Sequence, residues 1–189
     1  GGGEMEVQDA AAPAGDCAVT LRRIDQPKDT AVTYPNIDEA LKNSVPEGVI
    51  EWDNREALCC LDIDYHTTKP PDAAWLIASA ARLRPFPTFF WRSQNGGLHA
   101  IYKSQSHLAA EELAAVAALC WKNIDPLAQC ELLTSTRVPP GEYTACAGDN
   151  DLSAVAKFLG AAVPSDRIAE WLGDMGLEQG CSYEHDAFP

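Results

Sequence analysis

Asn95-Gly96-Gly97 lies between two strand-like runs, TFFWRS (88–93) and LHAIYK (98–103). Asn-Gly between such runs is a strong hairpin signal, because the tight turns that join antiparallel strands need positive φ. Around that pair the chain alternates strands and helices. AVTLRRI (18–24) alternates like a strand, Asn36 caps a short helix through Leu41, and Pro46-Glu47-Gly48 is a turn. VIEW (49–52) and ALCCLDI (57–63) read as a second hairpin across a polar turn. Pro70-Pro71-Asp72 starts a helix over 73–83, which Pro85 ends. The clearest helix is 107–121, where Leu113, Val116, Ala117, Cys120 and Trp121 share one apolar face. ELLTSTRV (131–138) reads as one strand, followed by helices near 152–160 and 165–175. The pattern predicts an α+β fold, with helices packed on a mostly antiparallel sheet.

The first 16 residues are rich in Gly and Ala and aperiodic, and read as a leader or tag. A domain is expected over 17–178, with 179–189 a tail that stops without a closing signal, as in a domain cut from a longer polypeptide. No apolar run is long enough for a membrane span, and no signal peptide appears. The seven cysteines contain no CxxC pair and read as reduced thiols, which points to the cytoplasm. With 28 acidic against 14 basic residues the net charge is −14, which disfavours a protein that coats nucleic acid.

The local chemistry runs against that global figure. In Leu61-Asp62-Ile63-Asp64 the two carboxylates share one face of a strand while Ile63 points into the core. Two such charges about 4 Å apart repel by roughly 4 kcal/mol at an effective dielectric of 20, so a proton, a basic neighbour or a cation must offset them. Hard oxygen donors at this spacing suit Mg²⁺ or Mn²⁺. Ser93, Gly96, Gly97 and His99 gather a hydroxyl, glycine N–H groups and an imidazole at one hairpin rim, a combination that suits an oligophosphate. A loop of 95–97 sets Ser93 opposite His99, and a two-residue turn sets Arg92 there instead. From Ala73 to Ala110 there is no acid, yet Arg82, Arg84, Arg92 and Lys103 occur, so this window is +4 and the rest of the chain −18. Asp125, after the amphipathic helix, offers a third carboxylate, and Glu131 is its rival. Arg137 precedes a Pro-Pro-Gly turn.

The order LDID, then S-x-N-G-G-L-H, then ID and TRVPPG-x-Y, over about residues 57–143, resembles the archaeo-eukaryotic primase superfamily, in its primase-polymerase branch of plasmids, phages and mobile elements. The resemblance implies two α/β modules, one like an RNA-recognition fold, with the active site between them. It implies a DNA primase and polymerase that transfers nucleotides from nucleoside triphosphates to a 3′-hydroxyl during replication, using two divalent ions, Mg²⁺ or Mn²⁺. Asp62, Asp64 and Asp125 would be catalytic metal ligands. Ser93 and His99 would hold the triphosphate, with Arg92, Arg137, Gly96 and Gly97 beside it. Arg82, Arg84 and Lys103 are candidate contacts to a single-stranded DNA template or primer, and a helicase or template-binding domain is expected beyond the C-terminus.

Two other classes compete. A nicking replication initiator would want a His-x-His metal site, which is absent, and a tyrosine nucleophile such as Tyr65 or Tyr102. A module that kept the fold without activity would bind nucleic acid or a partner only.

Overall fold

The computed structural model describes residues 16–139, apart from Asp72 and Ala81. The leader ahead of Asp16, the helices expected at 152–160 and 165–175, and the 179–189 tail lie outside the described residues. The elements are β1 (Val19–Arg23), a 3-10 turn (Lys28–Thr30), β2 (Val32–Tyr34), α1 (Ile37–Lys42), β3 (Gly48–Glu51) and β4 (Leu58–Asp64). They continue as α2 (Ala73–Ala80), β5 (Phe89–Arg92), β6 (Leu98–Lys103), α3 (Ala110–Ile124), β7 (Gln129–Leu133) and β8 (Ser135–Arg137). Two four-stranded sheets result, ordered β2-β1-β3-β8 and β5-β6-β4-β7, with every pairing antiparallel. The class is α+β. No helix among the described residues is long and apolar enough to cross a membrane.

Local signals set several boundaries. Asn36 caps α1, its side chain accepting from the Glu39 N–H at 3.0 Å. The β5–β6 hairpin forms as expected, and Gly96 takes the positive φ of +87° that its loop requires. The β3–β4 hairpin does not form. β3 pairs with β1 and β8, while β4 pairs with β6 and β7 in the other sheet. Trp52 explains the crossing: its N–H donates to Thr134 O at 3.0 Å and its indole Nε1 to Leu58 O at 2.7 Å. The chain is therefore fixed where it changes sheets instead of turning back on itself.

The expected 131–138 strand likewise splits at Thr134 into β7 in the second sheet and β8 in the first. One run of chain thus serves as an edge of both sheets and forms a seam between them. A single hydrophobic cluster extends through both, from Val19, Leu21 and Ile50 to Leu61, Ile63, Ala100 and Trp121.

One face of the second sheet is apolar along β4 and β6, with Arg92 of β5 joining it opposite Leu98 at the edge. Cys59, Leu61 and Ile63 lie opposite Tyr102, Ala100 and Leu98, and all six are buried. Tyr65, next in that alternation, bonds Asp125 at the end of α3, which puts α3 on this side of the sheet. Trp75 of α2 meets Trp121 of α3 edge to face, with ring centroids 6.1 Å apart. α3 buries Ala110, Leu113, Ala114, Ala117, Trp121 and Ile124, whereas Val116 is 56% exposed and Cys120 only half-buried. The buried stripe is rotated from the expected one, with Ala110 and Ala114 inside it and Val116 outside.

Candidate active site

The opposite face of the second sheet changes character along its length. At one end Leu58, Cys60, Phe89 and Ile101 are buried. At the other, Trp91, His99, Asp62 and Glu131 form one row across all four strands, through the pairs Trp91↔His99, Asp62↔His99 and Asp62↔Glu131. Asp64 follows one alternation later, opposite Gln129. The two aspartate side chains keep 20% and 21% exposure, against complete burial of Ile63 between them. The alternation read from LDID therefore holds.

Each aspartate has a histidine. His99 Nε2 stands 3.1 Å from Asp62 Oδ1, and His66 Nε2 3.4 Å from Asp64 Oδ2. His99 is held on its other side as well, with Nδ1 3.1 Å from Thr136 Oγ1 of β8. The row at the end of the second sheet is thereby tied across the seam to the first. Asp64 Oδ1 also accepts the Tyr65 N–H at 2.8 Å. Burial pushes the Cys60 thiol well above its usual range, with the Asp62 carboxylate adding to the shift, so Cys60 is a neutral neighbour.

The hairpin tip closes beside the pair. Its loop is 94–96: Ser93 N–H donates to Gly97 O at 3.0 Å, and Gly97 N–H donates to Ser93 Oγ at 2.9 Å. Consequently Trp91 faces His99, and neither Ser93 nor Arg92 does. The left-handed position falls on Gly96, which shifts the register from both expected forms. The glycine N–H groups are not a free nest, because Gly96 N–H donates to Ser93 O and both glycines are buried. Gly97 serves close approach instead: a Cβ there would stand 2.1 Å from the Ile63 carbonyl oxygen. Ser93 keeps its hydroxyl proton to donate, since it accepts in the bond to Gly97. Arg92, expected at the triphosphate, pairs with Leu98 and so takes the face away from the Asp62 row, its Nη2 3.6 Å from where a Gly96 Cβ would be.

Other expected site residues are placed elsewhere. Asp125 is fully buried on the helix side, where its Oδ2 accepts from Tyr65 Oη at 2.7 Å and its Oδ1 from Leu127 N at 3.1 Å. Glu131, exposed and directly across from Asp62, is the acid that joins the row. Arg137, half-buried, opposes Val49 on the face of the first sheet away from His99, while its neighbour Thr136 takes the side facing His99. Arg82 is 6% exposed, and Lys103 pairs with Asp38, so neither is presented as a surface phosphate contact. Arg84 is exposed, with Nη1 donating to Leu83 O at 2.8 Å. Of the tyrosines named for a nicking enzyme, Tyr65 donates to Asp125 and Tyr102 to Pro85 O at 2.6 Å.

Sequence reading missed Thr136, Trp91 and the role of His66. His66 had a readable signal, since it continues the 62, 64, 66 alternation. Thr136 had none, because its partner is set by the sheet switch at Thr134.

The donor chemistry of Asp62, Asp64 and Glu131 fits a hard divalent cation. Among the described residues, no group of three His, Cys, Asp or Glu side chains forms a ready-made cation cluster. No family model, curated protein or solved structure matches the chain.

Proposed function

We propose that this chain is the catalytic domain of a primase-polymerase, transferring nucleotides from nucleoside triphosphates to a 3′-hydroxyl on a single-stranded DNA template. The observation that carries the reading is the row Trp91–His99–Asp62–Glu131, with Asp64 beside it and the Ser93–Gly97 tip closing the same end of the sheet. The two-module primase architecture, with the site between modules, is part of the same proposal, and the seam bridged by His99 and Thr136 supports it.

Asp62, Asp64 and Glu131 would hold the divalent ions. Ions held there would supply charge neutralisation at the phosphates, a more acidic 3′-hydroxyl and stabilisation of the departing pyrophosphate. The 3′-oxygen would lose its proton to solvent and bond to the α-phosphorus as the bond from that phosphorus to the α,β-bridging oxygen breaks and pyrophosphate leaves. His99, fixed between Asp62 and Thr136, orients Asp62 and presents its ring at the phosphates. Ser93, which alternates onto the same face as Trp91 and His99, donates its hydroxyl proton to a phosphate oxygen. With Arg82 buried and Lys103 paired, this domain alone grips a template weakly, so a basic partner or a further domain supplies that contact.

The test is primer extension with Mn²⁺ and nucleoside triphosphates. Asp62→Asn and Asp64→Asn should each cut incorporation at least a thousandfold while thermal unfolding is unchanged. Full activity with both replaced would sink the proposal. Absence of both Mn²⁺ and nucleotide binding in calorimetry would instead favour a binding module without catalysis.

A further inference from the structure

We infer that Tyr65 and Asp125 are a positioning pair for Asp64, acting through the backbone that leaves β4. The inference rests on the proposed metal site and assigns Asp125 a role other than ligand. Tyr65 follows Asp64 directly, and its two ends do different work. Its N–H donates to Asp64 Oδ1 at 2.8 Å, while its hydroxyl, on the far side of the sheet, donates to Asp125 Oδ2 at 2.7 Å. Asp125 is itself anchored, because it caps α3 and its N–H donates to Trp121 O at 2.7 Å.

A second clamp acts one residue later, where His66 N–H donates to Gln129 Oε1 at 2.7 Å. The exit from β4 is thus pinned to α3 and to β7, at the point where one carboxylate of the pair must hold its orientation.

A fully buried carboxylate is costly in a core and persists only with partners. Asp125 Oδ1 also accepts the Leu127 N–H, so the turn after α3 accounts for an Asp or Asn at 125 but does not call for the Tyr65 hydroxyl. A rigid Tyr65 N–H aimed at Asp64 does call for it. Partners that orient metal-binding carboxylates typically change affinity 10–100-fold when removed.

The experiment is Mn²⁺ titration calorimetry of the full chain, run well below every variant's melting temperature. Tyr65→Phe removes one hydroxyl and should weaken Mn²⁺ binding about 10-fold. Asp125→Asn keeps a hydrogen-bonding partner for Tyr65 and should stay within about threefold of the parent. If Tyr65→Phe is too unstable to titrate, the double variant Tyr65→Phe with Asp125→Asn removes the unpaired buried charge, keeps an acceptor for the Leu127 N–H and should show the same 10-fold weakening.

Two results overturn the inference while leaving the metal site standing. One is parent-like Mn²⁺ affinity in Tyr65→Phe despite a lower melting temperature, which would make the pair purely structural. The other is Asp125→Asn losing binding as completely as Asp62→Asn, which would make Asp125 a ligand. No Mn²⁺ binding by the parent, or parent-like binding by Asp62→Asn, overturns the site and this inference together.

Discussion

The two faces of the second sheet are built from the same strands and obey different rules. On the helix side, Cys59, Leu61 and Ile63 meet Tyr102, Ala100 and Leu98 in a row-by-row apolar match. On the other side the same strands begin apolar, at Leu58 and Cys60, and end in Asp62, His99 and Glu131. The first face supplies stability through burial. The second spends some of that stability holding like charges together, a pattern expected where a site is mounted on a rigid scaffold.

Substitutions on adjacent residues of β4 should separate the two. Ile63→Ala removes a fully buried side chain and should cost about 3 kcal/mol in urea unfolding. Asp62→Asn, its neighbour, should change stability by less than about 1 kcal/mol, since it relieves repulsion while weakening the bond to His99. Equal losses at the two positions would show that the polar face is as structural as the apolar one.

Gly97 lies where the faces meet the hairpin tip. Alanine there would drive a Cβ against the Ile63 carbonyl, and backbone cannot swing aside as a side chain does. Gly97→Ala should cost about 2–3 kcal/mol and loosen the end of the β4–β6 ladder, seen as faster amide exchange at Leu98 and Ile63. Unchanged exchange would mean that the tip relaxes independently of β4, removing it from the site.

A smaller effect tests the seam. Thr136→Val keeps the shape of the side chain but removes the hydroxyl that meets His99 Nδ1. The loss should be about 1 kcal/mol, with a change in the His99 ring nitrogen shifts by NMR. If those shifts do not move, His99 is positioned by Asp62 alone and the seam plays no part in the site.

What the sequence made legible follows from the range of each interaction. The alternation in LDID, the Asn36 cap and the β5–β6 hairpin depend on neighbours within a few residues, and all three stand. The partners of β3 and β4 do not, because they are chosen by Trp52 and Thr134, more than 80 positions apart and joined by one backbone bond. The hairpin register turned on which of two glycines takes positive φ, a choice the pair Gly96-Gly97 leaves open. The choice between Asp125 and Glu131 needed the β4–β7 register, which places Glu131 beside Asp62 and leaves Asp125 behind the sheet with Tyr65.

The outer side of α3 sets the lower end of the scale. Val116 and Leu119 are 56% and 68% exposed, so they belong to neither face of the sheet, although periodicity alone had placed Val116 in the core. A side chain with most of its surface already in water gains little from being apolar. Leu119→Ser should therefore shift stability by no more than about 0.5 kcal/mol, the usual range for exposed positions. Helix propensity accounts for most of that, serine being the poorer helix former. A loss of about 2 kcal/mol or more, the scale of a buried leucine, would mean that α3 carries a second buried face, covered by part of the chain outside the described residues. That outcome would turn the contrast between two faces of a sheet into one between two faces of the helix as well.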